Sequence, residues 1–309
     1  MISMRIFKDW RALPGSAKRA CVAMGNFDGV HLGHAAVIRA AHAATPDAPL
    51  AVLTFESHPR EFFRTQDPPF RLTLASERAA ALAALGVEIL YELPFDLEFS
   101  HLSGEQFCTE VLQDGLDAVH LVCGWDFAFG HRRSGDVSLL EARAAPQGVG
   151  LTVVPPMADA QGVISSTRIR RLLQDGYPDH AAALLGHPHT IRGKVLAGNV
   201  HGSIIGFPTI NIPLGRHLEP AGGIYAVSAR LPDGTQAKGV ASIARRTAED
   251  GPPVHMEVHL FDHAGDLHGQ ELTIALHHFL REAESLPSFN VLKERIMHNI
   301  LPPVQAAHL

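Results

Sequence analysis

Two histidines, His31 and His34, stand three residues apart in the segment GNFDGVHLGH, residues 25–34. The segment follows an apolar run and precedes an Ala-rich run, a pattern that predicts a strand, a glycine-rich turn and the start of a helix. Residues three apart at a helix start share a face, so both imidazoles can reach one ligand. Backbone N–H groups and the helix dipole attract anions there. The context favours a site that stabilises charge on a transferred phosphate over a tight turn with two surface histidines.

Two more segments of the first half suit a nucleotide. ISSTRIRR, residues 164–171, places hydroxyls, Arg168 and Arg170 at a helix start, which suits a phosphate chain; an ordinary cap with solvated arginines is the alternative. CGWDFAFGHRRSGD, residues 123–136, follows a predicted strand at the same edge of the sheet as the histidines. Its glycines, aromatic rings and Asp126 suit a base or ribose, and the alternative is a loop whose aromatic rings plug the domain.

The segment GNVHGSIIGFPTIN, residues 198–211, combines glycines with oxygen-bearing side chains. The residues of interest are Gly198, Gly202, Gly206, Thr209 and Asn211. The glycines suit a flexible loop over phosphates, although the spacing is not that of a Walker A motif. The side-chain oxygens suit Mg²⁺, and a glycine-rich hairpin is the alternative.

The segment HMEVHLFD, residues 255–262, alternates as a strand does. Alternation places Met256, Val258 and Leu260 on one face, and Glu257 on the other with His259 and Phe261. A glutamate that faces a phosphate loop suits a general base for a hydroxyl nucleophile, whereas a lone glutamate on a strand is usually solvated.

The elements around these segments divide the chain in two. Up to Gly186, apolar strands alternate with helices, which predicts a doubly wound parallel sheet with ligands at the carboxyl ends of its strands. After Gly186, strand-like segments separated by Gly, Pro and Asp-Gly turns predict a small all-β barrel, followed by a C-terminal helix over residues 290–300. The predicted domains are residues 1–186 and residues 187–309.

Composition limits the function classes. The length of 309 residues fits about two domains, and 46% hydrophobic with 19% charged residues fits a globular chain. A formal net charge of −6 argues against a nucleic-acid partner held by bulk positive charge. No apolar stretch reaches the roughly 18 residues of a membrane helix, and the N-terminus lacks the apolar core of a signal peptide. Three cysteines without C-x-x-C spacing indicate reduced core thiols in a cytoplasmic protein.

The segments together resemble one family, the prokaryotic bifunctional riboflavin kinase/FMN adenylyltransferases, also called FAD synthetases. The matching motifs run in the family's order from about residue 20 to about residue 300. They are GNFDGVHLGH, TFESHPREFF, LPFDLEFSHLSGEQF, GWDFAFGHRRSGD, ISSTRIR, GFPTIN, MEVHLFD and HFLRE. The resemblance implies an α/β nucleotidyltransferase domain that makes FAD from FMN and ATP, and a riboflavin kinase barrel that makes FMN from riboflavin and ATP. Both reactions would require Mg²⁺.

The resemblance also implies roles for individual residues. His31 and His34 would bind the ATP phosphates and stabilise the transition state of adenylyl transfer, and Glu257 would take the proton from the riboflavin 5′-hydroxyl. ATP would be bound by Gly25, Asn26, Phe27, Asp28, Asp126, Ser166, Thr167, Arg168 and the kinase glycines Gly198, Gly202 and Gly206. The flavins would be bordered by His58, Pro59, Arg60, Phe62 and Arg281. Mg²⁺ would be held by Thr209 and Asn211.

Three positions depart from the family's pattern. Val163 stands where a basic residue usually precedes the S-S-T run, and Ser203 stands where the kinase loop usually has Arg. The segment SIARRTAED, residues 242–250, replaces N-I-G-x-R-P-T-F, so Ser242 takes the place of Asn. Two of these departures fall in the kinase half, so the main alternative is an FMN adenylyltransferase with a degenerate flavin-binding barrel.

Two further hypotheses fit the sequence less well. A flavin carrier without turnover has no need for the H-x-G-H and S-S-T-R segments, and a different phosphoester acceptor is disfavoured by TFESHPREFF and HFLRE. Under the bifunctional reading, His31→Ala stops FAD formation and spares FMN formation, and Glu257→Ala does the reverse. We expect a monomer or a weak homo-oligomer with small-molecule substrates and neither a nucleic-acid nor a membrane partner.

Overall fold

The computed structural model describes residues 4–196, 209–245, 254–261, 263 and 265–281. The chain falls into two compact units. The first comprises the residues up to 67 together with residues 75–164, and the second comprises residues 68–74 and the residues from 165 onward. The predicted boundary of the functional domains at Gly186 stays a prediction.

The first unit is built on a six-stranded parallel sheet. Its strands are β1 (Arg5–Phe7), β2 (Cys21–Met24), β3 (Leu50–Phe55), β4 (Ile89–Leu93), β5 (His120–Gly124) and β6 (Gly150–Val154). They pair in the order β1-β4-β3-β2-β5-β6, so the chain moves outward from β2 first to one side and then to the other. This confirms the doubly wound parallel sheet, and it puts the switch point between β2 and β5.

Helices cover both faces of this sheet. They are α1 (Leu32–Ala44), α2 (Pro59–Phe63), α3 (Ala75–Ala84), α4 (Leu97–Ser100), α5 (Gly104–Gln106) and α6 (Val137–Ala144). Short 3₁₀ turns (Gly15–Ala17, His131–Arg133, Ala145–Gln147) and a hairpin of β7 (Ala158–Asp159) and β8 (Gly162–Val163) complete the unit. Alternate residues of β2 enter different cores: Cys21 and Ala23 belong to the layer with α1, and Val22 and Met24 to the layer with Phe107.

Helix α5 continues directly as a π-helix over Phe107–Gly115. The sequence predicted a helix over residues 103–112, and periodicity alone does not separate an α-helix from a π-helix. Phe107, Val111 and Gly115, which are spaced by four, lie on its buried side. At Gly115 an added Cβ would lie 2.8 Å from Trp10, so the end of this helix needs glycine.

The second unit is built on a six-stranded antiparallel sheet. Its strands are β9 (His189–Lys194), β10 (Ile210–Pro213), β11 (Gly223–Arg230), β12 (Gln236–Arg245), β13 (Val254–Leu260) and β14 (Glu271–Arg281), and its helices are α7 (Ser166–Gln174) and α8 (Pro178–Leu185). The strand order is β10-β13-β12-β11-β14-β9. Leu196, just after β9, donates its N–H to the carbonyl of Asn211 on β10 at 2.9 Å, so the two edges meet in a near-barrel.

The interior of this near-barrel is apolar. It contains one face of each strand, including Ile191, Ile212, Tyr225, Ile243 and Met256. The predicted C-terminal helix over residues 290–300 lies outside the described residues. Within the described ranges, no helix has both the length and the apolar character that a bilayer crossing requires.

Candidate functional site

His31 and His34 lie together where β2 gives way to α1. His31 is the N-cap of α1: its Nδ1 accepts a hydrogen bond from the backbone N–H of His34, with an N···N distance of 3.3 Å. The two rings stack with centroids 3.6 Å apart and an interplanar angle of 17°. A Cβ at Gly33 would lie 3.0 Å from Cε1 of His31, so a side chain there would displace the imidazole. The structure therefore brings together the two imidazoles that the spacing predicted to share a face.

The turn before His31 is strained and buried. Phe27 and Val30 have φ angles of 50° and 40°, a region that side chains with a Cβ rarely adopt. Phe27 and Asp28 are each 1% exposed. The ring of Phe27 lies 5.1 Å from that of His34, so the turn also packs against the histidine pair.

Side chains that the sequence analysis did not single out hold this turn. The carbonyl of Asn26 accepts hydrogen bonds from Thr54 Oγ1 at 3.1 Å and from Arg78 Nη1 at 3.4 Å. Arg78 is fully buried and forms ion pairs with Glu92 at 3.0 Å and with Glu56 at 3.2 Å. The available signal was a polar residue in each of three apolar runs: Thr54 in β3, Arg78 in α3 and Glu92 in β4.

The loop after β5 divides its aromatic residues between two roles. Phe127 and Phe129 stack with centroids 5.5 Å apart and pack with the core, and Phe129 lies 5.0 Å from Phe107. These two rings therefore plug the domain, which was one of the two predicted roles. Trp125 and Asp126 are exposed beside them. Since β5 pairs with β2, Asp126 stands at the same sheet edge as the histidine pair.

The predicted flavin residues His58, Pro59, Arg60 and Phe62 gather on the short helix α2. Nδ1 of His58 accepts a hydrogen bond from the N–H of Arg60 at 3.0 Å, and the Glu61 carboxylate accepts one from the N–H of His58 at 3.2 Å. The guanidinium of Arg60 donates twice to Asp67, at 2.8 and 3.0 Å. Aromatic rings of Phe62, Phe63 and Phe95 cluster beside the helix, and Phe63 is 65% exposed.

The segment ISSTRIRR enters the second unit at Ser165. Ser165 is the N-cap of α7, and its hydroxyl accepts a hydrogen bond from the N–H of Arg168 at 3.3 Å. Ser166, Thr167 and Arg168 form the first turn of α7. Arg170 donates to the carbonyl of Phe70 at 2.8 Å and lies 5.1 Å from the ring of that residue, so it has a packing role. The phosphate role of the first turn stays a prediction.

A second polar cluster lies on the outer face of the near-barrel, around Glu257 of β13. Asn211 of β10 and Ser242 of β12 are directly opposite Glu257 in the strand register, one on each side. Glu257, Ser242 and Asn211 are 3%, 1% and 9% exposed, so the alternative of a solvated glutamate is wrong. Thr209 immediately precedes β10 and is half-buried. The structure therefore brings together Glu257 and the predicted Mg²⁺ ligand Asn211.

His255 joins this cluster, and the sequence analysis missed it. Its Nε2 lies 3.3 Å from Oε1 of Glu257, and its side chain is buried. In the described part of the chain, Asn211 Oδ1, Ser242 Oγ and His255 Nδ1 are buried atoms without a hydrogen-bond partner. The missed signal was the spacing of two residues, which puts His255 and Glu257 on one face of a strand.

Several predicted residues cannot be placed. Gly198, Gly202, Gly206 and Ser203 lie outside the described residues, as does the segment 246–250. Arg281 is the last residue of β14, and its side chain lies outside the described part of the structure. Among the described side chains, no three His, Cys, Asp or Glu residues gather as a metal-binding group.

Two family profiles match the sequence. One, described as FAD synthetase, matches residues 13–168, and the other, described as riboflavin kinase, matches residues 185–302. Relatives named bifunctional riboflavin kinase/FMN adenylyltransferase align over most of the chain. The one from Escherichia coli strain K12 is 35% identical over 96% of both chains, that from Haemophilus influenzae 37% over 94% of both, and that from Pseudomonas fluorescens 40% over 90% of both.

A solved structure also resembles this chain. It is described as a macrolide-efflux protein from Streptococcus pneumoniae, is 30% identical, and covers 96% of this chain and 97% of its own with a TM-score of 0.82. Its described activity is not that of either family profile. The likeness therefore supports the fold alone.

Proposed function

Because the chain belongs to the family of bifunctional riboflavin kinase/FMN adenylyltransferases, we propose that it catalyses both reactions of that name. The kinase reaction transfers the γ-phosphoryl group of ATP to the 5′-hydroxyl of riboflavin and yields FMN, ADP and a proton. The adenylyltransferase reaction joins FMN to the α-phosphorus of ATP and yields FAD and pyrophosphate. The observation that carries the proposal is the presence of two separate polar clusters, one in each compact unit.

We assign adenylyl transfer to the cluster of His31 and His34. Negative charge builds up on the α-phosphate and on the leaving pyrophosphate, and hydrogen-bond donors fixed in advance stabilise that charge. Nδ1 of His31 accepts the N–H of His34, so Nε2 is the nitrogen of His31 that can carry a proton toward a phosphate oxygen. The stack on His34 and the close fit at Gly33 hold the ring in position.

We assign phosphoryl transfer to the cluster around Glu257. Its carboxylate is the base that takes the proton of the 5′-hydroxyl as the oxygen attacks phosphorus. The buried Oδ1 of Asn211 has no hydrogen-bond partner in the part of the chain that is described, and a hard divalent cation suits such an oxygen. We propose that Asn211 and Thr209 hold Mg²⁺, which when bound offsets the phosphate charge.

The matches to both family profiles favour the bifunctional assignment over the alternative of adenylyl transfer alone, for which one observation speaks. Ser242, one of the three departures from the family's pattern, faces Glu257 directly across the strand register. A shorter side chain at that place weakens the polar environment of the base. Formation of FMN from riboflavin and ATP decides between the two candidates.

The adenylyltransferase site is tested with His31→Asn, because asparagine is a favoured N-cap and preserves the start of α1 while it removes the imidazole. We expect FAD formation from FMN to fall by about 10²- to 10³-fold, because one fixed donor to the transition state is lost. FMN formation from riboflavin should stay unchanged. His42→Ala, an exposed histidine of the same helix, is the matched control and should leave both rates unchanged.

The kinase site is tested with Glu257→Gln, which preserves shape and removes the base. We expect FMN formation to fall by about 10²- to 10⁴-fold while FMN is still adenylylated. Glu271→Gln is the control, because Glu271 is exposed on β14 and pairs with Arg192. Chromatography of riboflavin, FMN and FAD over time gives both rates. Loss of both activities in either folded variant would contradict the two-site assignment.

We further propose that the protein works in the cytoplasm as a monomer or weak homo-oligomer, with neither nucleic-acid nor membrane partners. Its three cysteines are buried and unpaired with one another. Burial is the main cause that raises the pKa of Cys108 and of Cys123 to about 11, so both thiols stay protonated and unreactive at neutral pH. Such thiols fit a reducing compartment.

A further inference from the structure

The buried imidazole of His255 lies beside the carboxylate that the proposed kinase reaction uses as its base. Nε2 of His255 is 3.3 Å from Oε1 of Glu257, and both side chains are about 95% buried. A carboxylate only accepts hydrogen bonds, so Nε2 must carry the proton of this contact. The contact is therefore a directed hydrogen bond to one particular oxygen.

Two polar residues of the neighbouring strands lie beside Glu257 in the same cluster. Asn211 and Ser242 flank it at the directly opposite positions of β10 and β12, where Cβ atoms are about 5 Å apart. In the described part of the chain, Oδ1 of Asn211 and the hydroxyl of Ser242 make no hydrogen bond. Within this four-residue cluster, the hydrogen bond that the structure shows to the carboxylate comes from His255.

One fixed oxygen determines the orientation of the whole carboxylate. The last torsion of a glutamate side chain is broad, so an unsupported carboxylate rotates among many orientations. A hydrogen bond at Oε1 narrows that rotation and directs the second oxygen to one place. Base catalysis depends on such placement, because the base must lie within hydrogen-bond reach of the proton that it removes.

We propose that His255 is a positioning residue of the kinase site, which orients the Glu257 carboxylate to take the proton of the riboflavin 5′-hydroxyl as that oxygen attacks phosphorus. The proposal rests on the base role of Glu257 given above. His255 acts through that carboxylate and forms no bond to substrate. Its effect should therefore appear in kcat of phosphorylation and disappear when Glu257 is no longer a base.

The test compares His255→Gln with His255→Asn. The Gln amide can place an N–H near the position of Nε2, whereas the Asn amide is one methylene shorter and falls short of Glu257. We expect the Asn variant to lower kcat of riboflavin phosphorylation by about 10- to 100-fold with the KM values for riboflavin and ATP nearly unchanged. The Gln variant should recover most of the rate. FMN adenylylation, measured in the same samples, should be unchanged and shows that the chain is intact.

A double-variant cycle separates positioning from a structural role. In a Glu257→Gln background, His255→Asn should lower the residual rate no further, because its target is already disabled. A structural defect would lower the rate by the same factor in both backgrounds. Equal rates for the Gln and Asn variants, a change confined to KM, or multiplicative losses would overturn the proposal. If Glu257→Gln alone leaves phosphorylation intact, the base assignment itself fails instead.

Discussion

At the residue scale, two histidines begin helices, which the composition alone does not predict. His31 and His58 both cap helices through Nδ1, in place of the usual Ser, Thr, Asp or Asn. The sequence could predict that α1 starts near His31, since spacing and glycine content mark that turn. It could not predict the strained φ angles of Phe27 and Val30, because these depend on Thr54 and Arg78, which come from distant parts of the chain.

His277 makes the stability of the fold depend on pH. Burial is the main cause that lowers the pKa of His277 to about 4, with a smaller effect from His278. In the unfolded chain this imidazole has a pKa near 6.5. Between about pH 6.5 and 4 it is therefore protonated in the unfolded chain and neutral in the folded one. Stability is therefore unaffected by this group above pH 6.5 and falls as the pH drops toward 4.

We expect His277→Gln to remove about 1–2 kcal/mol of that acid-induced loss, a value reduced for the partial exposure of the ring. The measurement is the free energy of unfolding in urea at pH 7 and pH 5. His268→Gln, at an exposed position, is the matched control and should keep the wild-type pH slope. An identical slope in the His277 variant would show that this imidazole does not contribute.

At the scale of elements, periodicity predicted the strands and helices whose apolar faces are continuous. It missed β1, because Arg5 and Ile6 are exposed at an edge strand. It also missed β10, which is four residues long and follows a Gly- and Pro-containing segment. At the candidate site, the spacing of three predicted that His31 and His34 share a face. The contact of His255 with Glu257 was not predicted, because the sequence does not show that β13 is buried on both faces.

Gly130 fixes how the loop after β5 packs on the start of α5. Its φ is 74°, and an added Cβ would lie 2.4 Å from the backbone nitrogen of Gly104. We expect Gly130→Ala to lower the free energy of unfolding by about 3 kcal/mol or more, from strain together with overlap. Gly148→Ala is the matched control: its φ is 70° with nothing within 4 Å, so strain alone should cost about 1 kcal/mol. Equal losses in urea unfolding would mean that the overlap relaxes freely.

At the scale of the whole molecule, each compact unit has apolar core residues of its own and one of the two polar clusters. Length predicted two domains, and the net charge of −6 coexists with anionic substrates because the proposed phosphate sites use glycine turns, helix starts and individual cations. The twenty histidines are counted as neutral in this net charge, and as a class they are the side chains that add positive charge when the pH falls below neutral.

The histidine content predicts how the solubility of the protein depends on pH. The sequence isoelectric point is about 6.4, and six protonated histidines cancel the formal net charge of −6. We expect solubility at low salt to be lowest near pH 6.4 and to rise on both sides. Light scattering across pH 5.4 to 8 measures this. A flat profile would show that most histidines do not titrate in this range.

The order of strands in the two sheets also determines when each sheet can be completed during translation. The first sheet has all six strands once Val154 has left the ribosome. In the second sheet, the edge strand β9 pairs with β14, so β9 has no complete partner strand until Arg281 has been synthesised. At about 5–20 residues per second, roughly ten seconds separate these two events. The first unit can therefore assemble on the ribosome while β9 still lacks its partner β14, which makes β9 the strand of the nascent chain most in need of a chaperone.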